Sequence, residues 1–479
     1  MREINYQLAN IKRRAEHPSL IKPYLFEQFY TSGPWLICFL TVLLVGVISY
    51  YFKDAAEGEF NYQALVFTVA GALLLVSGVN MLLMRFLSNW RHRLPEHDIK
   101  ASLSGGLLVT AFLAFLASAI FLVPWDMPLS HKIFIILFFV LFSCSLELFV
   151  VHGALAYFPL LAAGYFVLLM ILPGAGLIGR MIAGPLGYYL GLSLAQVIIF
   201  FIQWFLFSHQ FGFSFALKKE LLTYARRDPA ALLIGFLLAA GLFADKLVAW
   251  ILGIENEAFP LFQATYNVNI AFSLAFVFVL PAFIYFILKT EKGCYRRYRD
   301  FYESIRLKKP LADIEANRKE LSDFTLRSAS AVMKILLSSV FLFTYFATHV
   351  YTILGLDLED IPLFRTSLWG NALYILFTCV CVLLYFTDWS RAVILLYALF
   401  AGLNILFSTL NILFIRVHPM YVFPAVCFIS LLCALPLSVY YLKNFLPMHF
   451  RRQPLGYQFK SVRNDDYWVQ LLKEGNDGE

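Results

Sequence analysis

Charge is what this 479-residue chain has least of: Asp, Glu, Lys and Arg make up 14% of it, against 60% hydrophobic residues. Soluble globular domains carry roughly 25% charged residues, so this balance excludes a water-soluble enzyme and points to a polytopic membrane protein. Paired cysteines in loops are also lacking. Cys38, Cys144, Cys379, Cys381, Cys427 and Cys433 fall in apolar runs and Cys294 in a basic segment, which supports neither a disulfide framework nor a metal knuckle. Cys379 and Cys381 read as soft buried hydrophobes. No metal or cofactor is expected. A cleavable leader is missing as well: residues 1–30 are polar and charged, so the first apolar run is expected to direct insertion.

What the chain does have is apolar runs. They fall at about 33–52, 64–87, 103–123, 133–151, 154–172, 184–207, 230–252, 268–288, 329–351, 368–386, 392–414 and 422–442. Each is close to the ~20 residues a helix needs to cross a bilayer. The fold class is therefore all-α, with about twelve transmembrane helices. The first run opens on Ser32-Gly33-Pro34-Trp35, where Ser32 suits a cap, Pro34 a first helical turn and Trp35 an interfacial anchor.

Loop charges orient the runs. Arg85, Arg91, Arg93 and Lys100 follow the second; Lys218, Lys219, Arg226 and Arg227 the sixth; a cluster from Lys289 to Arg327 the eighth. The alternate loops hold mostly acids: Asp54, Glu57, Glu59; Glu255, Glu257; Asp357, Glu359, Asp360. The positive-inside rule then puts both termini in the cytoplasm and explains the net charge of +7 without nucleic acid. The basic pattern recurs six runs apart, as in transporters built from two parallel halves. The expected organisation is a cytoplasmic segment 1–29, a first six-helix lobe 30–208, a linker 209–229, a second lobe 230–445 and a tail 446–479.

Within the second lobe, 289–328 forms a basic cytoplasmic arm. Tyr295, Tyr298, Tyr302 and Ile305 share a helical face, while Arg296, Arg297 and Arg299 point elsewhere. Such a helix reads first as a lipid-binding interfacial face, and otherwise as a dock for a cytoplasmic partner.

Ionisable groups inside spans are costly, roughly 2.5–3.5 kcal/mol each on insertion scales, so they mark paths and switches. Glu147, Asp245 and Lys246 are the candidates. Glu147 suits a coupling carboxylate, or a structural partner for a group such as His152. Asp245 and Lys246 are adjacent, about 100° apart around a helix, so they are expected to need separate partners. Asn269, Asn371, Asn404, Asn411, Gln196 and Gln203 read as interhelical hydrogen bonders. Pro173 to Arg180 reads as a flexible external turn, and the many Phe and Tyr residues as packing and interfacial belts, with a sugar-stacking path as the other reading.

From Tyr30-Thr31-Ser32-Gly33-Pro34-Trp35, through Asp245-Lys246 and Trp250, to Pro281-Ala282-Phe283, Thr290-Glu291, Tyr295, Arg296, Tyr298, Phe301 and Tyr302, the chain resembles the PelG family of exopolysaccharide transporters. The resemblance covers most of the chain. It departs at Ile4-Asn5-Tyr6-Gln7 and after Phe450. It implies the multidrug/oligosaccharidyl-lipid/polysaccharide flippase superfamily, two six-helix lobes around a cavity, and export of an amino-sugar-rich polysaccharide across a bacterial inner membrane for biofilm matrix. It further implies partners, a cytosolic glycosyltransferase and small membrane subunits, and makes Glu291, Tyr295, Arg296, Arg297, Tyr298, Arg299 and Tyr302 a candidate docking arm. Competing readings are a lipid-linked oligosaccharide flippase or multidrug-type exporter, and, among enzymes, a membrane glycosyltransferase using Asp54, Glu57 and Glu59. The loop holding those acids is too short to build a donor site. His349 alone gives poor support for an acyltransferase.

Overall fold

A computed structural model describes residues 33–51, 55–90, 96–123, 128–154, 158–211, 220–253, 259–307, 309–386, 389–415 and 419–444. All of the regular structure among them is helical. In chain order the helices are α1 (Gly33–Tyr51), α2 (Ala55–Trp90), α3 (Glu96–Leu122), α4 (Leu129–Ala154) and α5 (Phe158–Phe211), then α6 (Glu220–Arg227), α7 (Pro229–Gly253) and α8 (Phe259–Lys289). They continue with α9 (Tyr295–Arg306), α10 (Leu311–Tyr345), α11 (Ala347–Leu354), α12 (Ile361–Phe386), α13 (Ser390–Leu410) and α14 (Val422–Lys443).

Uninterrupted apolar sequence makes these helices obligatory in lipid, because every backbone N–H and C=O must be satisfied within its own segment. Ten described stretches are long and apolar enough to cross a membrane, from Leu65–Phe86 to Val422–Tyr441. Of two shorter apolar helices, Cys38–Val47 lies inside the expected first run, whereas Ile171–Gly184 starts at the end of the expected fifth run and continues past it. Ser32 lies outside the described residues; Gly33, Pro34 and Trp35 form the first turn of α1. The segments 1–29 and 446–479 also lie outside them.

Helix α5 is two helices meeting at Ala183 and Gly184. Gly184 has φ 61°, which only glycine adopts freely, and there the chain reverses. The expected flexible turn at 173–180 is instead helical, and its glycines serve the hairpin: Gly179 and Gly187 sit backbone to backbone, so that a Cβ on either would overlap the other's carbonyl. Small residues permit this approach in membranes, where dispersion rather than hydrophobic expulsion holds helices together.

Helices α1–α5 pack on one another, as do α7–α14, and the two groups meet where α2 crosses α7 and α1 crosses α8. At the first crossing Gly78 and Gly235 face each other. A Cβ on Gly78 would stand 2.8 Å from the Leu232 carbonyl oxygen, and one on Gly235 would overlap that of Ser77. Stacked rings fill the second: Phe39 of α1 lies on Phe276 of α8 at 4.0 Å between centroids. The aromatic wealth of the chain goes largely into such packing.

The amphipathic α6 joins the groups and seats Leu221 and Tyr224 on a small apolar cluster of Leu83, Phe86, Leu103, Leu107, Leu148 and Phe207 in the first group.

The arm is a folded unit. A π-helical segment, Thr290–Cys294, leads out of α8 into α9, and α9 lays Phe301, with Tyr298, Tyr302 and Ile305, against Ile314 of α10. The expectation of a lipid-facing aromatic stripe is thereby corrected: the chain covers that face itself. Arg297 is likewise no free docking residue. Its guanidinium donates to Glu320 (3.0 Å) and to the Gly293 carbonyl (3.2 Å) and stacks 4.1 Å above the Phe324 ring. Arg296 and Arg299 remain exposed, their side chains 78% and 56% accessible. Glu291 falls in the π segment and Tyr295 opens α9; their side chains lie outside the description.

Candidate substrate cavity between the helix groups

Where the two groups meet, α1, α2, α7 and α8 enclose a cavity of ≈ 20 Å³, room for about one water. Phe39 of α1, Val66 and Leu73 of α2, Phe243 and Lys246 of α7, and Asn269, Phe272 and Ser273 of α8 line it. Lys246 is the one Lys, Arg, Asp or Glu in this lining. Asn269 is 3% exposed, and its Oδ1 has no hydrogen-bond partner among the described residues.

Asp245 and Lys246 do pair with each other, against expectation: Lys246 Nζ lies 3.3 Å from Asp245 Oδ2. Adjacent Cβ atoms diverge around a helix, but the four-carbon lysine stem is long enough to swing back. The ammonium also lies 4.3 Å from the centroid of the Phe272 ring, a cation–π position. Both side chains are largely buried, at 9% for Lys246 and 17% for Asp245, and Asp245 Oδ1 is unpartnered.

Neighbouring polar groups pin the frame. Asn404 of α13 donates to the Gly241 carbonyl of α7 at 2.8 Å, one turn before Asp245. Asn371 of α12 donates to the Phe272 carbonyl of α8 at 3.0 Å. These amides fix the two helices that carry Lys246 and the ring beneath it.

Glu147 is not brought to this cavity. It is fully buried inside the first group on α4, beside Thr110 and Gly106 of α3, with Leu221 of α6 over the same spot: a Cβ on Gly106 would meet Glu147 Oε1 at 3.0 Å and Leu221 at 3.2 Å. Neither Glu147 oxygen nor the Thr110 hydroxyl has a hydrogen-bond partner among the described residues. On α5, Gln196 donates to Ser145 Oγ of α4 at 2.7 Å, while Gln203, two turns further along that face, leaves both amide atoms buried and unpartnered.

A third feature ties the two groups together. Arg85 near the end of α2 pairs with Asp228 just before α7, 2.5 Å apart, and stacks 4.4 Å over Tyr385 of α12. Phe86 meets Tyr224 of α6 edge to face at 5.6 Å. Sequence reasoning missed this tie because Arg85 was counted among the loop charges. Two signals were present: Arg85 lies inside an apolar run, and Asp228 follows the basic pair Arg226 and Arg227. Among the described residues no group of three or more His, Cys, Asp or Glu stands close enough to share a metal ion.

The chain matches the family model PelG, described as "Putative exopolysaccharide Exporter (EPS-E)", over residues 1–450. Among curated proteins none matches. Solved structures give the fold. An outward-facing multidrug resistance MATE family transporter of the MOP superfamily is 12% identical, with a TM-score of 0.57 over 88% of this chain and 96% of that one. A MATE structure in the bent conformation is 12% identical, with a TM-score of 0.57 over 89% and 96%. An inward-facing MATE transporter of the same superfamily is 11% identical, with a TM-score of 0.55 over 88% and 96%. At such identities the likeness is one of architecture.

Proposed function

The chain belongs to the PelG family of exopolysaccharide exporters, and from that premise we propose that it moves an amino-sugar-rich, Pel-like polymer from a cytosolic synthase to the periplasm across a bacterial inner membrane, supplying biofilm matrix. The cleft between α1, α2, α7 and α8 is the path, closed in the conformation described. The observation that carries the reading is the cavity lining: aromatic faces from Phe39, Phe243 and Phe272 suit sugar rings, and Lys246, Asn269 and Ser273 supply hydrogen bonds where helices of both groups come together. A ≈ 20 Å³ space admits no sugar, so transport requires the groups to part, and the Arg85–Asp228 pair with the Gly78–Gly235 crossing is what must yield at one end.

Glu147 serves as the coupling carboxylate. A buried acid without a partner gains most from taking up a proton or cation, and α6, which caps it, continues into Asp228. The arm docks the cytosolic glycosyltransferase through Arg296 and Arg299, the arginines the fold leaves exposed. The test is complementation of a strain lacking the chain. Asp245→Asn and Glu147→Gln, each checked for folding, should abolish polymer secretion; full secretion by both would refute these roles. Arg296→Glu with Arg299→Glu should release the synthase from the purified complex while the membrane core stays folded.

A further inference from the structure

The cavity contains a recognition site whose ligand is part of the chain. Two groups hold the Lys246 ammonium, Asp245 Oδ2 at 3.3 Å and the Phe272 ring at 4.3 Å, and Asn269 and Ser273 share the cavity lining with Lys246 and Phe272. A carboxylate and an aromatic face on one ammonium, with amide and hydroxyl oxygens in the same lining, make an ammonium site, since each offers negative potential to a cation with three N–H donors. Its capacity is not used up. Asp245 Oδ1 and Asn269 Oδ1 are buried and unpartnered among the described residues, so two more acceptors stand ready.

We propose that α7 and α8 build a primary-ammonium site, that Lys246 occupies it while the cleft is closed, and that an amine of the transported ligand replaces Lys246 when the cleft opens. The lysine stem is flexible and its ammonium strongly hydrated, so the head can leave for water in an open cleft, whereas Asp245 and the Phe272 ring are held by helices that Asn404 and Asn371 clamp. The tethered ammonium keeps Asp245 from standing uncompensated behind the cavity wall and reserves the site for positive charge. A neutral sugar does not displace it; an amino sugar carries the same head group. The inference rests on the cavity being the substrate path; its test reads stability, and export is read separately only to tell the two failures apart.

The purified full-length protein in detergent provides that test. Lys246→Ala vacates the ammonium position, and ethylammonium chloride, a detached copy of the lysine tip, is titrated against sodium chloride at equal ionic strength and against ethanol. The expected result is a saturable rise in melting temperature of about 2 °C or more for Lys246→Ala with ethylammonium alone. Wild type, whose ammonium position is filled, and Asp245→Asn/Lys246→Ala, which has no charge left at the site, should not respond. The proposal is overturned if ethylammonium fails to stabilise Lys246→Ala, or if it stabilises wild type or the double variant equally. It is also overturned if Lys246→Ala cannot be recovered folded even with the amine present while the double variant can. Rescue with export unaffected by these substitutions would sink the transport reading and leave the amine site standing; export lost without rescue would do the reverse.

Discussion

Glu147 and Asp245 both sit deep within apolar helices, and the fold treats them in opposite ways. Asp245 of the second group has its counter-ion as next neighbour, and that counter-ion lines the cavity between the groups; Asp245 keeps 17% of its side chain accessible. Glu147 of the first group is fully buried, has no cation beside it among the described residues, and lies under a linker helix rather than at the seam. Under the proposed function, the first arrangement holds charge where a ligand is to pass, and the second is where a mobile ion is to bind. Residue type and membrane location alone do not distinguish the two jobs; the neighbours do.

Substitutions that separate the two acids should differ in kind, and they rank by their effect on stability. Asp245→Asn leaves the Lys246 ammonium buried without its anion and should destabilise by about 3 kcal/mol, read from melting curves in detergent. Adding Lys246→Met should restore most of the loss, because removing both charges is far cheaper than removing one. A large deficit persisting in the double variant would mean that the pair holds the groups together by more than charge. Next comes Gly106→Ala, whose methyl would press on Glu147 Oε1 and Leu221. It should cost about 1 kcal/mol and disturb secretion through Glu147, with the site around Asp245 untouched.

Weaker still is Arg85→Asp. Its pair with Asp228 is partly exposed, so the loss should be about 0.2–1 kcal/mol, with recovery in Arg85→Asp/Asp228→Arg. If the swap restores melting but not secretion, the Tyr385 stacking rather than the ion pair governs closure. Smallest is Glu147→Gln, expected to leave the melting temperature unchanged or slightly raised, since an unpartnered buried carboxylate is removed. Secretion should nonetheless fail. A drop of several degrees would reveal a counter-charge on Glu147 and erase the contrast with Asp245.

Much of the fold was legible because the bilayer writes it as uninterrupted apolar runs, and the helices recur where those runs lie. The interhelical roles of Gln196, Asn371 and Asn404 were legible for the same reason: an amide at that depth must find a partner. Other features were hidden by residues with two meanings. Gly176 and Gly179 read as a turn, yet they thin a helix so that its hairpin partner can approach. Tyr298 and Tyr302 read as a lipid-facing stripe, because nothing local announces that Ile314 will fold back onto their helix. Asp245 and Lys246 were judged by the directions of their Cβ atoms, which say little about where a long side chain puts its charge. The lining from Asn269 and Ser273 depends on which helices become neighbours, a long-range fact that no local pattern carries.

Helix α10 has a mechanical consequence. Its 35 residues run without a break from Leu311 in the arm to Tyr345, with one buried stripe from Ile314 to Val340. At ~1.5 Å per residue it is a strut of about 52 Å, well beyond the ~30 Å of hydrocarbon it has to cross. A tilt of about 5° at the arm would sweep the far end through roughly 4–5 Å. α10 also packs on α8, the helix that carries Asn269 and Phe272. A partner that leans on the arm therefore holds a lever whose fulcrum lies in the membrane, and the torque it applies there reaches the wall of the cavity without any chemical signal passing between them.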